Sequence, residues 1–266
     1  MKGDTDLLLE MKKIRSGGCG NKGDLPDNVA NADGEDEIVD KFRDVYAALY
    51  SSAGSHTDME NLKEKVKELI GANSVEEVAK VTVSVVKEAA LSMKPAKGGV
   101  TGGFTSDAIL HAPDIMFEHM AAVYRSFLFH GTMHATLLAC LLILASSEIL
   151  PQGPADTGSY RAIAGSNISL KPFDKDVLLV WGHLLSSDSL QFGFKKKTST
   201  TQCSWLVTEV VQHYLRNGSH PIVAVLDCSK AFDTCKFGTL FAKLLEKGVP
   251  PIVVRAMMTA YEEQYA

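Results

Sequence analysis

The chain has 266 residues, 45% of them hydrophobic, and a formal net charge of -5. That is enough apolar material for one or two domains with a real core, and the net negative charge excludes a generally basic nucleic-acid-binding domain. Residues 1–60 hold most of the acidic excess, whereas residues 156–266 carry slightly more basic than acidic side chains, so any polyanion-binding surface should be a local patch in the C-terminal part.

Five cysteines, Cys19, Cys140, Cys203, Cys228 and Cys235, show no CxxC spacing. An odd number scattered through helical and strand patterns reads as reduced intracellular thiols. Cys228 and Cys235 are expected to be small buried hydrophobes. The N-terminus, Met1-Lys2-Gly3-Asp4-Thr5-Asp6, has no apolar core behind a basic start and so no signal peptide. The most apolar run, Ala135 to Ala145, falls well short of the roughly 20 residues a bilayer span requires. No membrane partner is expected, and the location should be intracellular, nuclear or cytoplasmic.

Residues 1–37, with Ser16-Gly17-Gly18-Cys19-Gly20, Pro26 and the acidic run Asp33 to Glu37, read as a poorly ordered acidic and glycine-rich segment. Residues 38–150 read as an almost wholly helical region. Ile38, Phe42, Val45, Tyr46 and Leu49 recur at helical spacing, and a second helix runs from about Thr57 to Ile70, stopped by Gly71. Ser74-Val75-Glu76-Glu77 is a capping-box pattern that opens a helix reaching Ala90. Lys94 to Gly103 is a Gly/Lys loop without the Gly-Lys-Ser/Thr of a phosphate-binding loop. Ser106 or Asp107 opens a further helix, Ala112-Pro113 to Phe129 a long one ended by His130-Gly131, and Met133 to Ile149 reads as a buried helix.

Pro151-Gln152-Gly153-Pro154 marks a boundary, and residues 151–266 follow a different pattern. Tyr160-Arg161-Ala162-Ile163 reads as extended, Pro172 to Leu185 as helix, and Leu190 to Thr200 as a basic extended segment. A helix from about Thr201 to Arg216 should turn Leu206, Val207, Val210, Val211 and Tyr214 inward. The apolar run Ile222-Val223-Ala224-Val225 reads as a short buried strand, residues 222–227, ending on Asp227. Helices are expected over 236–247 and from Ile252 to Glu263, separated by Gly248-Val249-Pro250-Pro251.

The chemistry concentrates in Leu226-Asp227-Cys228-Ser229-Lys230-Ala231-Phe232-Asp233. A carboxylate at the end of a central strand sits at the rim of a sheet, where a metal and a phosphate can reach it; the bland reading of Asp227 is a turn or helix-capping aspartate. Phe232 is either a core residue or a ring presented to a ligand. Asp233 reads as an N-cap or salt-bridge residue rather than a metal ligand. Lys230 reads as a solvated turn lysine, or as a phosphate contact. Lys195-Lys196-Lys197 is the only basic triplet in the chain, either a solvated face or a grip on a nucleic-acid backbone.

Four segments in fixed order, Tyr160-Arg161-Ala162-Ile163, Leu190-Gln191-Phe192-Gly193-Phe194 with Ser199-Thr200, Leu226 to Asp233, and Gly248-Val249-Pro250 leading to Tyr261, together resemble the reverse transcriptase of non-LTR (LINE-like) retrotransposons. The resemblance covers about Tyr160 to Ala266, and residues 42–130 resemble the helical segment that precedes this polymerase. It implies an α+β fold: a helical N-terminal region followed by a partial fingers and palm of a right-hand polymerase, its sheet incomplete. It implies an RNA-directed DNA polymerase with an RNA template and a DNA primer as partners. Asp227 would be the first metal-binding, catalytic aspartate of the palm. Arg161 would hold the incoming triphosphate, and Phe232 would lie under the incoming sugar. Gln191, Phe192, Gly193 and Phe194 would contact the template, with Lys195, Lys196 and Lys197 on its backbone. The complete enzyme would use two Mg²⁺ ions about 3.5–4 Å apart, one activating the attacking 3′-hydroxyl and one stabilising the leaving oxygen; such ions take carboxylates, phosphates and water.

The sequence departs from that pattern. The basic residue usual before Tyr160 is missing, and no Gly-Gln-Gly segment or Asp-Asp pair follows Asp233. The expectation is therefore a truncated reverse-transcriptase fragment, holding at most part of a Mg²⁺ site and inactive as an isolated chain. The alternatives are a non-catalytic nucleic-acid-binding or inert retrotransposon remnant, and a helical interaction protein built from residues 38–150.

Overall fold

A computed structural model describes residues 28–53, 56–71, 74–98, 105–138, 140–146, 156–228 and 230–262. The described chain is mostly helical, with few strands. Its elements are β1 (Asn28–Val29), β2 (Ala32–Asp33), α1 (Glu35–Ala53), α2 (His56–Leu69), α3 (Ser74–Ala79), α4 (Val83–Leu91), α5 (Ser106–Leu110), α6 (Asp114–His130), α7 (Ala135–Leu138), β3 (Cys140–Ser146), β4 (Tyr160–Ser166), α8 (Lys171–Trp181), α9 (Thr200–Arg216), α10 (Phe237–Glu246) and α11 (Pro251–Glu262). The strands form two two-stranded sheets, β1 with β2 and β3 with β4. The chain divides into two units, residues 1–46 with 145–161, and residues 47–144 with 162–266.

In the first unit β1 and β2 are antiparallel, with Asn28 opposite Asp33 and Val29 opposite Ala32. Ala30 and Asn31 between them both have positive φ, 51° and 67°, as the tightest hairpin turns require. Residues 28–33, expected to lack order, are thus a hairpin; residues 1–27 lie outside the described residues. Val29, Ala32, Phe42, Tyr46 and Tyr160 are buried. The Phe42 and Tyr160 rings meet edge to face with centroids 5.1 Å apart, and the Tyr46 hydroxyl donates to the Tyr160 carbonyl at 3.3 Å.

The second unit has one helical core. Helix α4 packs on α8 and α6, α11 on α2 and α6, and α10 on α11 and α2. Val66, Val86, Phe117, Phe127, Phe241 and Val253 are its fully buried anchors. The helix expected from Ser74 to Ala90 breaks in two, because Thr82 adopts an extended backbone and its hydroxyl accepts from Val85 N at 3.3 Å as the N-cap of α4. Helix α6 ends as expected at Gly131, which takes a left-handed φ of 74°. Arg255 of α11 closes that end by donating through Nη2 to the carbonyls of Leu128 and Phe129, each at 2.8 Å.

Three expectations fail here. The helix expected from Met133 to Ile149 is not found over its described residues, 133–138 and 140–146: one turn, α7, gives way to strand β3. A short all-apolar run has no period to separate a buried helix from a buried strand, and pairing with β4 decides for the strand. The region 38–150, expected to be almost wholly helical, thus contains a strand among its described residues. The run 222–227 is neither strand nor helix but an unpaired coil. A strand is held by a neighbouring ladder, and none of the described residues offers it one.

Candidate nucleic-acid interface

The segment from Asp188 to Ser199 is a loop ordered by its own polar groups. Asp188 accepts Leu190 N through Oδ1 at 2.8 Å, and its carbonyl accepts Lys195 Nζ at 3.2 Å. Gln191 Nε2 donates to the Gly193 carbonyl at 3.2 Å. The Thr198 hydroxyl reaches the carbonyls of Phe192 at 2.7 Å and Lys195 at 2.9 Å. Ser199 then opens α9 with a reciprocal capping box: its hydroxyl accepts Gln202 N at 3.3 Å and Gln202 Oε1 accepts Ser199 N at 2.9 Å. The loop therefore holds its shape without a partner.

Within it, Gln191, Gly193, Lys196 and Lys197 are exposed, and Phe192 and Lys195 are half-buried. A side chain placed on Gly193 would meet nothing within 4 Å, so no neighbour among the described residues requires glycine there. Phe194 is 94% exposed at φ 57°, a backbone region that bulky residues avoid. Lys197 also has positive φ, 64°.

The second segment, 219–236, has no regular structure; residues 230–234 form turns. Ile222 and Leu226 are almost fully exposed, at 96% and 95%, so Asp227 stands on an open coil rather than at the rim of a sheet. The Lys230 backbone is left-handed at φ 49°. Phe232 is 78% exposed, which removes core packing as its role. Asp233 is not the N-cap of α10; that position is Lys236, with no side-chain cap bond. Cys228 is exposed and Cys235 half-buried, so neither is the buried hydrophobe expected. Helix α9 between the two segments carries no buried side chain. Leu206, Val207, Val210 and Tyr214, expected to face inward, are all exposed.

The structure brings two of the sequence-identified residues together. Phe194 and Phe232, 38 positions apart in sequence, meet edge to face with ring centroids 5.8 Å apart and planes at 87°. Arg161 lies in β4, and its side chain is outside the described residues. The Gly/Lys loop is no phosphate cradle over its described part. Its amides are already engaged, Ala96 N by Asp107 Oδ2 and Lys97 N by Ser106 Oγ, each at 3.0 Å.

A two-ion Mg²⁺ site needs several hard oxygen ligands held in place. Asp227 is one carboxylate on an unpaired coil, and the described residues contain no group of three or more His, Cys, Asp or Glu side chains that could hold a metal. The residues present do not fit the two-ion site. Among the described residues no helix is long and apolar enough to cross a membrane. The contact that sequence reasoning missed is the Phe194–Phe232 pair; its only sequence signal is a lysine near each aromatic, Lys195 next to Phe194 and Lys230 two residues before Phe232. No family model matches the chain, and no curated protein matches it.

Proposed function

We propose that residues 151–266 are a partial fingers and palm of a reverse transcriptase of the non-LTR retrotransposon class, acting with an RNA template and a DNA primer in the nucleus or cytoplasm. The observation that carries this reading is the order and spacing of four motifs: Tyr160-Arg161-Ala162-Ile163, Gln191-Phe192-Gly193-Phe194, Leu226-Asp227 with Ala231-Phe232-Asp233, and Gly248-Val249-Pro250. Exposure of Asp227, Phe232, Lys196 and Lys197 is compatible with it. In that reading Arg161 would clamp triphosphate oxygens with its planar fork, Phe232 would lie under the incoming sugar, and Asp227 would be the first palm carboxylate.

The test is a chimera in which residues 160–266 replace the matching stretch of an active enzyme of that class. Primer extension on an RNA template is expected to survive in the chimera and to vanish in its Asp227→Ala form. A chimera that binds template–primer yet cannot extend it, or that extends it equally without Asp227, refutes the assignment. The chain by itself should extend primers no faster than its Asp227→Ala variant in Mg²⁺ or Mn²⁺. Loss of even one well-placed electrostatic group commonly costs about 10²–10³ in rate, and one carboxylate cannot position two ions.

A second reading, a non-catalytic nucleic-acid-binding chain, is favoured by one specific observation. The exposed aromatic and lysine residues cluster on an ordered loop, while the carboxylate expected to be catalytic stands alone.

A further inference from the structure

Two exposed phenylalanines in contact need a reason. Phe194 and Phe232 give up most of their ring area to water, which is unfavourable by the ordinary hydrophobic term. Phe194 also holds a left-handed backbone that is strained for its residue type. The rings meet at 87°, so they form an inside corner: a flat group lying on the face of one ring meets the other at its flank. The Phe194 wall is prebuilt, because the 188–199 loop is tied by bonds from Thr198, Gln191 and Asp188, and Phe232 lies in a turn closed by Thr234, whose amide and hydroxyl donate to the Lys230 carbonyl at 3.0 and 3.1 Å.

The surroundings decide what fits. Lys195, Lys196 and Lys197 follow Phe194, and Lys230 lies two residues before Phe232. Positive φ puts Lys197 and Lys230 on sharp local turns, three residues after Phe194 and two before Phe232. An apolar protein segment would leave Lys196 and Lys197, both exposed, without complement. A polyanion whose repeating unit carries a flat aromatic group satisfies rings and lysines together. Only an unpaired base offers its face, so the strand must be single.

We propose that Phe194 and Phe232 form a stacking corner for an unpaired base of single-stranded nucleic acid, with Lys196 and Lys197 on the flanking phosphates. The proposal rests on the nucleic-acid reading above but requires no metal and no catalysis. It gives Phe232 a base to stack on, where the family resemblance gives it a sugar. Stacking reads no base edge, so recognition is independent of sequence.

The experiment titrates the full chain, in EDTA, against a fluorescein-labelled oligothymidylate, an abasic strand of equal length, and a duplex. The oligothymidylate should bind about 5- to 150-fold more tightly than the abasic strand, as one stacked base would give. Phe194→Ala, Phe232→Ala and Phe232→Leu should each erase that preference without changing the salt slope, and Phe194→Trp should keep it. The double alanine variant should lose little beyond either single one, because the rings act as one unit. Equal binding of the abasic strand, duplex preference, or no binding by a chain whose circular dichroism is helical overturns the corner. Because EDTA removes any contribution at Asp227, such a failure leaves the polymerase assignment to the chimera test.

Discussion

Helices α10 and α9 are both amphipathic, and among the described residues only α10 buries a side chain. Helix α10 seats Phe241 in the helical core against α11 and α2. Helix α9 is longer and better capped, yet it leaves Trp205, Leu206, Val210 and Tyr214 in solvent. The same holds for extended chain. The apolar strand β3 pairs with β4, whereas the equally apolar 222–226 lies open. An apolar face states that a surface wants covering; what covers it depends on which other elements reach it. The core of the second unit is closed by α2, α4, α6, α8, α10 and α11, and none of the described side chains of 188–236 is buried in it.

The contrast breaks first on stability. Phe241→Ala should cost about 3–5 kcal/mol, the loss of a fully buried aromatic together with the cavity left behind. Leu226→Ala should stay within about 0.5 kcal/mol, since its side chain is already in water. Urea denaturation followed by circular dichroism measures both. A Leu226→Ala loss approaching that of Phe241→Ala would show that 222–226 is covered in solution.

A second test lies inside the core. Asp176 on α8 is completely buried, and neither carboxylate oxygen has a hydrogen-bond partner among the described residues. Burial pushes its carboxyl up to about 7 from an ordinary 3.8. The nearby Tyr124 phenol, which donates to the Ser169 carbonyl, is itself raised, first by burial and then by the Asp176 charge. Between about pH 4 and pH 7 the folded chain keeps a proton that the unfolded chain releases. Stability should therefore fall as pH rises through that window and level off above it. Asp176→Asn should flatten the profile and be more stable than the parent at pH 8, by a few kcal/mol at about 1.4 kcal/mol per pKa unit. An unchanged profile would mean that the carboxylate finds water.

A smaller effect is expected at the end of α6. A Cβ on Gly131 would stand 2.7 Å from Arg255 Nε, and Arg255 is held by its bonds to Leu128 and Phe129. Gly131→Ala should cost about 1–3 kcal/mol, from the left-handed backbone and the clash together. In an Arg255→Ala background only the backbone part, about 1 kcal/mol, should remain.

Legibility in the sequence follows the same division. The ends of α6, α9, α10 and α11 were readable within a residue or two, because Gly131, Ser199, Gly248 and Pro251 act locally. The break at Thr82 was hidden, since Val81 and Val83 continue the apolar pattern through it. The strand at 222–227 was misread because strand formation is not local: it needs a ladder that no residue within the run can supply. For the interface, the residue types of Phe194, Phe232 and the lysines were visible from the four ordered motifs. Their meeting was not, because contact between residues 38 positions apart is set by the turns around Phe194 and Lys230.

The smallest expected effect on stability is also the sharpest on binding. Replacing Lys195, Lys196 and Lys197 by alanine removes three cations from an exposed loop whose fold depends on Thr198, Gln191 and Asp188. Only the Lys195 bond to the Asp188 carbonyl is lost with them. Unfolding free energy should stay within about 0.5 kcal/mol of the parent. Binding to a single strand should nevertheless weaken, and the slope of log affinity against log salt should become shallower by roughly 2, close to 0.7 for each phosphate neutralised. Oligothymidylate and abasic strand should weaken alike, since the lysines act on phosphate and not on base. That common loss separates them from the phenylalanines, whose removal should affect only the strand that carries bases. An unchanged slope in the triple variant would return the lysines to a solvated face and place the polyanion contact elsewhere on residues 156–266.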